Sequence, residues 1–123
     1  MQINIVDFSR IKWVTTNYNT EYAQFSERKS ETIWFECINN NVTLGVGGLV
    51  LMGSNARLSS VYVLPEHRGK GVAQELVKAR INYAQENGFK SVDARTVKKY
   101  YESHGLVKIK DYKVGGAWYK KVF

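Results

Sequence analysis

The 123-residue sequence predicts an α/β fold: one domain over residues 1–123, with a mixed, mostly antiparallel central sheet and helices on its faces. Three observations carry that expectation. Between residues 32 and 64, three runs rich in β-branched and aromatic residues alternate with turn residues, as antiparallel strands do. From residue 72 the apolar spacing becomes helical, which marks an amphipathic helix. A further strand-like run, residues 89–95, follows that helix, and a strand–helix–strand unit of this length requires a parallel crossover.

Taken in order, residues 3–8 (INIVDF) read as a short strand, and the stretch to Ser30 is irregular or weakly helical because its apolar residues keep no clean period. The run TIWFECI from Thr32 is a strand, and Asn39, Asn40 and Asn41 then supply a turn that tolerates left-handed backbone. VTLGVGGLVLMG returns as the second strand of a hairpin, its glycines marking a bulge or a close backbone approach. After Ser54 and Asn55, the run RLSSVYVL (residues 57–64) completes a three-stranded meander and ends at Pro65. In the helix that follows, Ala73, Leu76, Val77, Ile81 and Ala84 fall on one stripe, and Gly88 sits where a C-terminus favours positive φ. TVKKYYESHG (residues 96–105) reads as a second short helix stopped by Gly105, and two alternating strands joined near Gly115 and Gly116 close the chain.

Composition narrows the function classes. With 44% hydrophobic and 24% charged residues the chain is of ordinary globular make-up, neither disordered nor fibrous. A single cysteine, Cys37, forms no internal disulfide, and no spacing suggests a structural metal. The first residues hold no long apolar run, so neither signal peptide nor membrane anchor is expected and the cytoplasm is the expected location. The net charge of +7 is uneven: residues 1–67 sum to −1, 68–97 to +3 and 98–123 to +5. Such a gradient suits an anionic partner, either the phosphates of a cofactor or nucleic acid, but on charge alone a solvated basic face is the better account.

The segment VYVLPEHRGKGVAQELV (residues 61–77) carries the chemistry. A strand runs into a loop with Gly69 and Gly71 and opens a helix, so loop amides and the positive end of the helix dipole converge where Arg68 and Lys70 add charge. Such a loop alone is a tight turn or an anion site. It contains neither GxxxxGK[ST] nor GxGxxG, which excludes a P-loop and disfavours a dinucleotide site.

This segment resembles the acetyl-coenzyme A motif of the GCN5-related N-acetyltransferases (GNAT superfamily), R/Q-x-x-G-x-G/A between a strand and a helix. Arg68, Gly71 and Ala73 match it in register, Val61, Val63 and Pro65 match the strand end, and Tyr100, Tyr101, Gly105 and Leu106 match the downstream aromatic-Tyr-x-x-x-Gly-hydrophobic signature. The likeness covers about residues 32–123. It implies a cofactor cleft between splayed parallel strands, with Val61, Tyr62 and Val63 pairing with the pantetheine arm. Arg68, Gly69, Lys70, Gly71, Val72 and Ala73 would hold the pyrophosphate of acetyl-CoA. Tyr101 would protonate the thiolate that leaves when an acceptor amine attacks the thioester directly. A metal plays no part in that scheme, and neither does an enzyme nucleophile, so Cys37 reads as packing.

Departures from the family pattern shape the remaining expectations. Residues 57–64 hold no carboxylate to deprotonate the amine, which leaves Glu36 on an earlier strand or Asp93 on a later one. His67 reads as shaping the strand end and His104 as a helix C-cap. The N-terminal segment is short, so an open or homodimer-completed acceptor site follows. Nucleic acid is the less favoured acceptor: relatives of the phage Mom type modify DNA bases, and Lys98, Lys99, Lys108, Lys110, Lys113, Lys120 and Lys121 interleave with Tyr100, Tyr101, Tyr112, Trp118 and Tyr119. A non-catalytic coenzyme A binding or interaction module is the third reading.

Overall fold

The apolar runs need neighbours to satisfy their backbone groups. The computed structural model, which describes residues 1–18, 31–96, 98 and 100–123, gathers them into one seven-stranded sheet. Along the chain come β1 (Gln2–Val6), α1 (Phe8–Tyr18), β2 (Thr32–Asn39), β3 (Val42–Met52) and β4 (Asn55–Val63). Then follow α2 (Val72–Glu86), β5 (Ser91–Thr96), β6 (Val107–Asp111) and β7 (Ala117–Val122), with short 3-10 turns at Pro65–His67 and Tyr100–His104. Across the sheet the order is β1-β2-β3-β4-β5-β7-β6, and only the β4–β5 pair is parallel. The meander and the parallel crossover are therefore both present. Asn40 and Asn41 make the β2–β3 turn at φ 49° and 63°, the left-handed pair that a tight hairpin requires.

Of the two readings left open after the first strand, irregular or weakly helical, the helical one holds as far as Tyr18 and takes in Phe8, which was expected in the strand; the second short helix is corrected. Residues 8–18 are a helix: Phe8, Ile11 and Val14, spaced by three, are buried against Trp34, Val46, Tyr62 and Leu64. Tertiary burial, more than intrinsic propensity, stabilises a short helix of this kind. Residues 19–30 of the stretch expected to be irregular or weakly helical lie outside the described residues. Of the second short helix expected over residues 96–105, Thr96 ends β5, residues 97 and 99 lie outside the described residues, and Tyr100–His104 form a 3-10 turn rather than an α-helix, a form suited to a run too short for regular α-helical bonding.

Helix α2 covers the opposite face of the sheet from α1. Val72, Leu76, Val77, Ile81 and Ala84 are buried with Phe35, Leu49, Leu58, Val92 and Tyr119, each large aliphatic contributing about 1.5–3 kcal/mol by leaving water. Ala73, expected on this stripe, is only half-buried and lines the cleft described below. Cys37 is fully buried in the same core, and that burial pushes its thiol pKa up, as packing predicts.

Strand β4 serves both cores. Its register with β3 shifts between Val46 and Gly48, and Ser60 takes φ 53°, a left-handed bulge. Before the bulge, Ala56 and Leu58 face the core under α2; after it, Tyr62 faces the cluster under α1, while Val61 and Val63 turn to the α2 side. At the outer edge all five residues of β6 are exposed. No helix among the described residues is long and apolar enough to cross a membrane.

Candidate active site

The parallel ladder between β4 and β5 is short: Asn55, Ala56 and Arg57 pair with Ser91, Val92 and Asp93, and there it stops. The last rung is fastened by side chains. Arg57 Nε and Nη2 donate to Asp93 Oδ1 and Oδ2 at 3.0 and 2.8 Å, and Trp118 Nε1 donates to Oδ2 at 2.9 Å. Beyond that rung the strands part, and the bulge at Ser60 bends β4 away.

The gap is a cleft of about 540 Å³. Val61, Tyr62 and Val63 form its strand wall; Arg68, Gly69, Gly71, Val72, Ala73 and Gln74 form its floor; Lys98 and Tyr100 close it from beyond β5. Gly71 precedes α2 at φ 82° with no side-chain cap, so the first-turn amides keep no partner from a capping side chain. No atom lies within 4 Å of where a Cβ on Gly69 or Gly71 would stand. Glycine is needed there for its left-handed backbone, and the space above stays open. Arg68 donates from Nε to the Val63 carbonyl at 3.0 Å and lies over the Tyr62 ring at 5.4 Å, which holds a fixed positive charge at the cleft mouth.

Eight of the nine residues expected at the cofactor line this cleft. The ninth, Lys70, points to a separate hollow of about 260 Å³ with Met1, Asn39, Val42 and His67, its Nζ 3.4 Å from His67 Nδ1. Tyr101 is buried in the core at 4% exposure and is not a lining residue; its ring lies against that of Tyr100, centroids 4.6 Å apart, and Tyr100 faces the cleft. His104 bonds through Nε2 to Gln74 Oε1 of α2, a tie between the 3-10 turn and the cleft floor. Partial burial, then Lys78 and Lys121, push its pKa down.

Both carboxylates considered as bases are already engaged. Burial alone would raise the Asp93 pKa, but bonds from Arg57, Trp118 and Asn55 outweigh it and hold the carboxyl below its usual range. Glu36, 1% exposed, accepts from Arg10 Nε and from Thr43 Oγ1, both at 2.7 Å. The lysine–aromatic interleaving also divides by face: Tyr101 and Tyr119 are core residues, whereas Trp118 lies on the other face with Arg95 and Lys120 about 6 Å from its ring centre.

Sequence reasoning missed the bulge at Ser60, the Arg57–Asp93 rung, and Gln74, Lys98 and Tyr100 as lining residues. Tyr100 had a signal in its place in the downstream motif, and Lys98 one in the basic run of the C-terminal half.

A mixed sheet that opens between parallel strands over a glycine loop and a helix N-terminus defines the N-acetyltransferase class of α/β domain. The chain belongs to the acetyltransferase (GNAT) family, whose sequence profile matches residues 3–109. Among curated proteins, no sequence match reaches significance. Solved structures share the fold at low identity. The PaiA N-acetyltransferase of Thermoplasma acidophilum in complex with coenzyme A superposes with a TM-score of 0.74 at 12% identity over 100% of both chains. Rv2747 of Mycobacterium tuberculosis, in a complex that includes CoA, gives 0.80 at 14% identity, covering 100% of this chain and 99% of its own. The ribosomal-protein-alanine N-acetyltransferase of Brucella melitensis gives 0.78 at 15% identity, with 100% of both chains covered.

Proposed function

We propose that this protein transfers an acetyl group from acetyl-coenzyme A to the amine of an acceptor by direct attack. The observation that carries the reading is the cleft itself, in which the β4 edge at Val61–Val63 runs alongside the uncapped N-terminus of α2. Pantetheine is a chain of amides and needs a strand edge to pair with; Val61–Val63 lie beyond the last β4–β5 rung and offer one. A pyrophosphate needs amides and charge, which Gly69–Ala73 and Arg68 supply. Acetyl-CoA fits this chain's residues on both counts, and solved relatives with the same fold carry coenzyme A.

The cosubstrate supplies an activated thioester, so the protein has only to orient an amine against it. With Asp93 and Glu36 both engaged, the amine attacks in its neutral form and loses its proton to water after the bond to carbon has formed. The carbon–sulfur bond then breaks, and the sulfur takes a proton. Tyr101 is our assignment for that acid: it matches the family signature in register and, although its ring is packed in the core and does not line the cleft, it lies directly against Tyr100, which does.

Calorimetric titration with coenzyme A and acetyl-CoA tests the cofactor, and thiol release with a panel of amines tests the transfer. Saturable micromolar binding, lost in Gly71→Trp, is expected; no binding at millimolar cofactor overturns the reading. Tyr101→Phe should lower kcat by roughly 10²–10⁴-fold with cofactor affinity kept. If Tyr100→Phe shows that loss and Tyr101→Phe does not, the acid is Tyr100.

A further inference from the structure

Arg80 has no role in the scheme above, yet it is the largest fully buried side chain among the described residues. It projects from the middle of α2, and among the described residues no carboxylate pairs with it. Its guanidinium bonds only to carbonyls: Nε to Leu76 O at 3.0 Å, one turn back on its own helix, and Nη1 to Gly48 O at 3.0 Å and Ser59 O at 3.1 Å. Nη2 has no partner. A buried cation with neutral acceptors and an orphaned donor is costly, so it is poorly explained as a device for stability.

The location of its acceptors explains it better. Gly48 and Ser59 are the paired residues at the register shift, one step before the left-handed Ser60. Nη1 therefore ties β3 to β4 where the bulge interrupts regular pairing. The neighbouring position has been left open for the guanidinium: a Cβ on Gly47 would lie 3.2 Å from Arg80 Cζ and Nε. Everything β4 offers to the cleft lies past that point. A one-residue slip would exchange the faces of Val61, Tyr62 and Val63, sending the Tyr62 ring toward the α2 core and turning the two valines away from it.

We infer that Arg80 is a positioning residue: from inside α2 it pins the β4 bulge in the register that opens the cleft, and thereby sets the affinity for coenzyme A without touching it. The inference rests on the cofactor reading above, and its test separates the two.

Arg80→Met puts an unbranched apolar side chain of similar volume in its place and removes both the charge and the bridge. Because an apolar group takes the place of a buried unpaired cation, the variant should unfold at or above the wild-type temperature. Its coenzyme A Kd should nevertheless rise at least tenfold, equivalent to about 1.4 kcal/mol, and amide hydrogen exchange at residues 60–63 should quicken. Arg80→Lys, which keeps the charge and one donor group, should recover part of the affinity and of the protection. Should Arg80→Met fail to fold, the lysine variant alone decides, with an intermediate Kd supporting the inference and a wild-type Kd overturning it. A folded Arg80→Met with wild-type Kd and wild-type protection at residues 60–63 overturns it as well. If the wild-type protein does not bind coenzyme A, the cofactor reading falls, and exchange at residues 60–63 still decides the role of Arg80: faster exchange in Arg80→Met upholds it, unchanged exchange refutes it.

Discussion

Replacing Asp93 by Asn puts a number on the rung at which β4 and β5 part. The substitution keeps shape and volume and removes one negative charge from a site 2% exposed, where Arg57 and Trp118 both donate to the carboxylate. Breaking a fully buried pair costs about 3–5 kcal/mol. The Arg57 side chain is 24% exposed and can hydrate when its partner is lost, so the lower figure for charge-assisted bonds, about 2 kcal/mol, is the better expectation. For a chain of this length that is a fall in Tm of roughly 6–10 °C. The loss must also depend on pH with a definite sign. Native Asp93 ionises at lower pH than an unfolded aspartate. Its contribution is therefore complete above the ordinary value of about 3.9 and drains away as pH falls through the depressed native value. Thermal unfolding followed by circular dichroism, at neutral pH and at successive steps into acid, should show the gap between wild type and Asp93→Asn narrowing below about pH 4. A Tm change under about 2 °C at neutral pH, or a gap that stays constant into acid, refutes the reasoning.

Two further outcomes follow from the same geometry. Ser60→Gly should raise stability by roughly 0.5–1 kcal/mol, since glycine adopts the left-handed bulge without strain while losing more chain entropy on folding; a stability loss on chemical denaturation would show that the hydroxyl matters more than the backbone. With both candidate carboxylates engaged, log kcat/KM for an amine acceptor should climb with unit slope toward the pKa of the amine itself. An inflection between about pH 4 and 7 that survives a change of amine would restore a protein base.

The sequence and the structure agree where the signal is local and disagree where it is tertiary. The turn at Asn40 and Asn41, the glycine loop and the α2 stripe each need only a few adjacent residues, and each was legible. Helix α1 was legible only as a weakly helical alternative, because the stripe of Phe8, Ile11 and Val14 is short and mixed with β-branched residues; its burial against Trp34 and Tyr62 completes it. The bulge at Ser60 was hidden more thoroughly. Burial alternates without interruption from Asn55 to Val63, because the chain changes cores at the point where it slips, so polarity alone carries no trace of the event. The engagement of Asp93 by Arg57, 36 residues earlier in the chain, likewise depends on a strand pairing that alternation cannot fix. Arg80 fell on the buried side of a helix whose other buried residues are apolar, and nothing in its immediate neighbours announces two carbonyls from other strands.

Strand β4 also sets a limit on how this chain can vary over time. Its fully buried apolar residues change cores at the bulge, Ala56 and Leu58 before it and Tyr62 after it, so the count of residues between Arg57 and Pro65 is itself a structural parameter. A loop gains or loses a residue at modest entropic cost. One residue deleted from this strand would misplace two hydrophobic cores and the cleft wall together, a change that no single substitution elsewhere could repair. Insertions and deletions should therefore be borne by the turns at either end of β4, while the strand drifts by substitution alone, at constant length.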